Sequence, residues 1–193
     1  MNELDIPELD IELQAIEIAQ PVSMWGALGR NKKMPGTWLF YTDDYRFNNV
    51  KIAWHTVINT ECACAAEPNF TTLPDMPMAK GIWQIYCKRL VSKRFQKYGI
   101  KILVDVVVAE KFWDINLMGV PRGWRAYSYR GSIRQTENAI DSFNACCEHA
   151  GTSDITFLYY GGGAACRELA ERMGWFYVPE HRDVKAGGIL RNG

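Results

Sequence analysis

At 193 residues, 48% of them hydrophobic and 12% aromatic, the chain is long enough to bury one core of ordinary size, and a single domain is expected. Its apolar runs fall far short of the ~20 residues that a membrane-spanning helix needs. Its acidic start lacks the basic and apolar stretches of a secretion signal, so a cytoplasmic protein without a membrane partner is expected.

The balance of 22 acidic and 22 basic residues hides a segregation. Residues 1–29 hold Glu3, Asp5, Glu8, Asp10, Glu12 and Glu17 and no Lys or Arg, leaving 16 acids against 22 bases in residues 30–193. The chain thus divides into an acidic N-terminal arm, 1–29, and one basic α/β body, 30–193. The six cysteines (Cys62, Cys64, Cys87, Cys146, Cys147, Cys166) are read as reduced thiols, since cytoplasmic reductants keep thiols reduced.

In chain order, Glu3–Ile18 alternates acids with Leu4, Ile6, Leu9, Ile11 and Leu13, which suits an edge strand or a segment ordered only by contact, an appendage to the body. Glycines and Pro35 make residues 26–36 a loop. Thr37–Thr42 is aromatic and continuously apolar, as in a strand covered on both faces, and stops at Asp43-Asp44. Ile52–Ile58 fits a strand or a short helix, and Glu61–Ala66 leads to another strand end at Pro68-Asn69-Phe70-Thr71. Met78–Tyr98 follows Pro77, carries Ile82, Ile85, Tyr86, Leu90 and Phe95 at helical spacing and is closed by Gly99, which predicts a helix. Strands are then expected at Ile100–Val108, Trp124–Tyr129, Ile155–Tyr160 and Trp175–Val178, with helices at Thr136–Ala150 and Gly163–Met173. This alternation predicts an α/β fold with a mainly parallel sheet, open or partly rolled as in half of a TIM-like barrel.

In such sheets ligands lie beyond the carboxyl ends of the strands. That places Asp43, Asp44 and Arg46 together with Asn69, Thr71 and Asp75, Glu110 and Asp114, Arg130, Gly161–Gly163, and Glu180 with His181. Asp43, Asp44 and Asp75 are the candidate catalytic carboxylates. Asp44 with Asp75 could ligate magnesium or manganese, which prefer oxygen; an Asp in the cleft could instead act as a base, or simply cap the turn that follows. Arg46, Asn69, Arg130, Gly161, Gly162 and Gly163 are candidate substrate contacts, the glycine run offering backbone N–H groups to an anion. That run matches neither the dinucleotide fingerprint nor the P-loop. Cys62-Ala-Cys64 and Cys146-Cys147 lack structural-zinc spacing. Lys88, Arg89, Lys93, Arg94 and Lys97 form a basic helix face that either meets nucleic-acid phosphates or is a solvated outer face, its aromatics turned to the core.

Taken together, Asp43-Asp44-Tyr45-Arg46-Phe47, Pro68-Asn69-Phe70-Thr71, Asp75-Met76-Pro77, Tyr86 with Arg89, Gly99-Ile100, Gly119-Val120-Pro121 and Tyr160-Gly161 resemble a family known as a domain of unknown function in phage, plasmid and bacterial proteins. The likeness spans residues 25–163. It implies the fold and a mobile-element setting, with a host cytoplasm if phage-encoded, and no particular reaction. Where the family pattern has Pro-Asp-Phe-Ser, this chain has Asn69, and an amide neither ionises nor takes a proton at neutral pH. The expectation is a hydrolase acting on a nucleotide or nucleic-acid phosphate. The alternatives are a non-catalytic nucleic-acid-binding accessory protein and a phage factor that binds a host protein or signalling nucleotide.

Overall fold

The computed structural model describes residues 2–26, 33–132 and 136–180, with the backbone alone at Arg46 and Asn48. Among the described residues seven strands form one sheet: β1 (Val22–Met24), β2 (Thr37–Leu39), β3 (Cys64–Ala66), β4 (Lys101–Asp105), β5 (Ala126–Arg130), β6 (Thr156–Tyr160) and β7 (Phe176–Val178). They lie side by side in chain order, every neighbouring pair parallel. The crossovers carry α1 (Asp44–Phe47) and α2 (His55–Ile58) between β2 and β3, α3 (Met78–Gln96) between β3 and β4, α4 (Trp113–Leu117) between β4 and β5, α5 (Thr136–Ala150) between β5 and β6, and α6 (Gly163–Met173) between β6 and β7.

A strand order that never reverses puts all right-handed crossovers on one face. The other face, equally apolar, can then be buried only if the sheet rolls onto itself. It does: the rings of Tyr41, just beyond β2, and Tyr160, the last residue of β6, stack with centroids 5.7 Å apart although three strands lie between. The result is a nearly closed barrel-like α/β fold. The sequence-read strand Thr37–Thr42 is regular only to Leu39, and the ambiguous Ile52–Ile58 resolves as the short helix α2. Strand β1 was not expected from the sequence.

The acidic arm is no loose appendage. Ile6, Leu9, Ala15 and Trp25 are fully buried, while Glu3, Asp5, Glu8, Asp10, Glu12 and Glu17 face solvent. Residues 14–19 cross the amino-terminal mouth of the barrel. Ala15 N donates to Ile102 O (3.0 Å), Arg125 N to Gln14 Oε1 (2.6 Å), Thr156 Oγ1 to Ile16 O (2.5 Å) and Thr37 Oγ1 to Ala19 O (2.7 Å). Those groups sit at the starts of β4, β5, β6 and β2, so the arm is the barrel's floor. Its backbone spends its polar groups on strand ends that would otherwise lack partners.

Candidate functional site at the carboxyl ends of the strands

Opposite that floor, the carboxyl ends of β2 to β5 deliver a buried charged constellation. Asp105 closes β4 and Glu67 follows β3, and both have no solvent exposure. Helix α3 sends two cations inward to meet them. Lys88 Nζ donates to Asp105 Oδ2 at 3.3 Å and to the Asp105 carbonyl at 2.9 Å, and Arg89 Nη1 donates to Glu67 Oε1 at 2.5 Å. The two ion pairs are joined by Asp105 N, which donates to Glu67 Oε2 at 3.3 Å. Tyr41 adds its hydroxyl, 3.0 Å from Asp105 Oδ1 and 2.9 Å from the Ser128 hydroxyl of β5. Asn116 of α4 closes the set: its side-chain amide donates to the Asp105 backbone carbonyl, and its backbone carbonyl accepts from Arg89 Nη2.

Burial dominates the ionisation of this group. It pushes Asp105 from 3.8 up to about 6, against the pull of Lys88, and it lowers Lys88 against the pull of Asp105. Both partners therefore move toward their neutral forms, the expected result when desolvation outweighs Coulomb attraction. Tyr41 is raised well above its ordinary value by burial and then by the Asp105 charge, so its hydroxyl stays protonated and can donate.

Tyr41 also links this constellation to the other half of the rim through its stack on Tyr160. Beyond Tyr160, Gly161, Gly162 and Gly163 all have positive φ (73°, 86° and 76°), conformations that side chains disfavour. The space is closed as well: a Cβ at Gly161 would lie 2.5 Å from Glu180 Cγ, and one at Gly162 2.4 Å from Cys166 Sγ. Arg130 ends β5 level with Tyr160, and its half-exposed guanidinium is 3.9 Å from Glu180 Oε1. Glu180 therefore packs on the glycine turn and faces Arg130.

The carboxylates read from sequence are placed differently. Asp44 opens α1 and accepts from both Thr71 N (3.2 Å) and Thr71 Oγ1 (2.8 Å), tying the β2 end to the loop after β3. Asp43 and Asp75 are exposed, and Asn69 is half-buried in that same loop. Among the described residues no three His, Cys, Asp or Glu side chains come together to hold a metal ion. The side chain of Arg46, and His181 entirely, lie outside the described residues. The basic helix face needs correction: Lys88 and Arg89 are buried, 2% and 0% exposed, because they neutralise Asp105 and Glu67. Lys93, Arg94 and Lys97 remain on the outer side, and Trp83, expected against the core, is 58% exposed.

The sequence did carry a signal for the missed residues. Asp105 is the one charged residue in the run Ile102–Val108, and Glu67 directly follows Ala65-Ala66. A charge set into a buried strand is retained only where it is paired or put to use.

An all-parallel, barrel-like α/β protein with its buried charges gathered at the carboxyl ends of the strands is the class that fold and site define. Within that class the chain belongs to the family described as Domain of unknown function (DUF4417), whose model matches residues 1–151. It is also similar to the Gene 1 protein of Mycobacterium phage D29, 31% identical over 87 residues that cover 44% of this chain and 32% of the phage protein. The match thus spans about a third of that relative, and it agrees with the phage setting that the resemblance implied. No solved structure matches the chain. No helix among the described residues is long and apolar enough to cross a membrane.

Proposed function

We propose that the protein is a hydrolase that acts, at the carboxyl-terminal mouth of its barrel, on a phosphate-bearing substrate such as a nucleotide or the end of a nucleic acid. The observation that carries this reading is the position of Tyr41, whose hydroxyl contacts Asp105 and whose ring stacks on Tyr160 beside the glycine turn. Through Tyr41 and Tyr160 a carboxyl titrating at about 6 is linked to the turn of three positive-φ glycines that leads into α6. There the Gly161 N–H already donates to Val178 O, and Gly162 and Gly163 are the candidate anion contacts. An acid/base group works best when its pKa lies near the operating pH, and a turn of successive N–H groups favours an anion.

In this reading Asp105 exchanges the proton by way of the Tyr41 hydroxyl, which stands between it and the mouth. Arg130 turns from Glu180 to the phosphate, a geometry that a guanidinium suits well. Asp43 lies on the same rim beyond β2. Asp44 with Asp75 would hold magnesium or manganese, which would supply positive charge to offset that of the phosphate. Two further features support a role beyond stability: Arg89 Nε and Asn116 Oδ1 find no hydrogen-bond partner among the described residues, whereas a purely structural network is usually satisfied.

The test is a panel of nucleoside mono-, di- and triphosphates and short oligonucleotides, assayed for binding by calorimetry and for phosphate release with and without magnesium or manganese. Asp105→Asn should abolish release with binding retained, and Arg130→Gln should weaken binding. The reading fails if no phosphate compound binds, or if Asp105→Asn turns over like the parent.

A further inference from the structure

Helix α3 has two unlike sides. Its inner side delivers Lys88 and Arg89 to the barrel; its outer side presents Trp83, Tyr86, Leu90, Arg94 and Lys97, spaced three or four residues apart and hence on one flank. Trp83 stacks on Tyr86 with centroids 5.6 Å apart and planes within 13°, yet remains 58% exposed. At the far end Tyr98, 59% exposed, packs on Trp54 at 5.7 Å, and the Arg94 guanidinium lies 5.5 Å over that indole. The Arg94 Nη1 group also donates to Lys51 O, which fixes the Lys51–Trp54 segment alongside the helix. The two aromatic pairs are about 20 Å apart along the axis.

The two segments that form this flank carry charge of one sign, and the acidic arm meets α3 beside them, at Gln96. No Asp or Glu occurs between Tyr45 and Thr60, or between Met76 and Val104. Lys88 and Arg89, the two α3 cations that meet acids, are buried. Lys51, Lys93, Arg94 and Lys97 are left between and beside the aromatic pairs. Exposed aromatics that already stack on one side are costly to leave in water. Flat π-faces set among cations match unpaired bases on a phosphate backbone, whereas the bases of a duplex are stacked on one another and unavailable.

We propose that the outer flank of α3, together with the Lys51–Trp54 segment, binds single-stranded nucleic acid, with bases stacking on Trp83 and Tyr98 and phosphates meeting Lys93, Arg94 and Lys97. The flank is separate from the barrel mouth, and the proposal does not depend on any chemistry there.

The test is fluorescence anisotropy of a labelled oligothymidylate across a salt series, with circular dichroism confirming that each variant is folded. Trp83→Ala and Tyr98→Ala should each weaken binding about fivefold or more. The pair Lys93→Ala and Lys97→Ala should flatten the dependence of log affinity on log salt by roughly 0.7 per lysine. Arg172→Gln, an exposed position on α6 that belongs to neither the mouth nor this flank, should leave the anisotropy unchanged. The proposal is overturned if the oligonucleotide does not bind at low salt, if Trp83→Ala and Tyr98→Ala bind like the parent, or if a blunt duplex binds as tightly as the single strand. It is also overturned if Arg130→Gln at the mouth lowers the affinity while the flank variants do not.

Discussion

The Tyr41 hydroxyl lies 3.0 Å from Asp105 Oδ1, a contact that spans from the end of β2 to the end of β4 inside the barrel. Removing it in Tyr41→Phe leaves one oxygen of a buried carboxylate without that donor. The bond favours the charged form of Asp105, so its loss should move Asp105 above about 6. It should also cost about 1–3 kcal/mol of stability. Carbon-detected NMR of the Asp105 carboxyl reads the first effect and urea denaturation the second; an unmoved titration midpoint would refute the coupling.

The pH dependence of stability follows from the same residue. Asp105 is raised in the folded state, so the folded protein holds a proton that the unfolded chain has already released between 3.8 and about 6. Stability should therefore fall as pH rises through that window, by on the order of 3 kcal/mol at most. In Asp105→Asn this decline should vanish. Absolute stability should still drop, because Lys88 stays buried without its counter-charge. Denaturation midpoints taken from pH 4 to 7 in both proteins decide the matter.

His149 acts in the opposite direction. It is buried at the end of α5 with its ring 3.1 Å from Pro121 O, and burial lowers its pKa below 6.5. Protonation is thus easier in the unfolded chain, so stability should fall as pH drops through the region below 6.5. This loss partly cancels the Asp105 trend over the overlapping range, and only the single variants separate them. His149→Asn should steepen the apparent gain in stability on acidification; a curve that superimposes on the parent's would show that His149 does not contribute.

The floor formed by the arm predicts a core-sized effect from a residue near the N-terminus. Leu9 is 3% exposed and its N–H donates to Gly119 O at 2.8 Å. Leu9→Ala should cost about 2–4 kcal/mol. An edge-strand appendage would lose only a few tenths. Thermal or chemical denaturation separates the two, and a change within the error of surface substitutions would mean that the floor carries no load.

The glycine turn makes a last prediction. Gly161→Ala forces an L side chain to φ 73° and against Glu180, which should cost at least about 1–2 kcal/mol. It should also displace Glu180 from Arg130, so nucleotide affinity should change together with stability. A variant as stable as the parent would contradict the close approach.

Much of the architecture was legible along the chain. The helices Thr136–Ala150 and Gly163–Met173 coincide with their sequence-read ranges, and Ile100–Val108 and Ile155–Tyr160 hold the strands β4 and β6. Glycine stops, Pro77 and the change from helical to continuous apolarity are local signals, and local signals are what a sequence displays. The rule that sites follow strand ends points to the carboxyl-terminal rim, and there to polar residues in turns, exposed Asp43 and Asp75 and half-buried Asp44, rather than to the buried Asp105 and Glu67. Residues that reveal themselves by polarity in a turn are the ones solvent can already satisfy. Asp44, for its part, is engaged with Thr71 in the next loop.

What the sequence alone determined is therefore the alternation, the parallel sheet and the family. Only the tertiary structure decided that the acidic arm floors the barrel, that Lys88 and Arg89 turn inward while Trp83 turns outward, and that Tyr41 joins Asp105 to the β6 rim. The physical reason is range. A helix start or a strand depends on residues a few positions apart, whereas Tyr41 and Asp105 are 64 residues apart. Their contact exists only because an unreversed strand order leaves the sheet no way to bury its second face except by closing on itself.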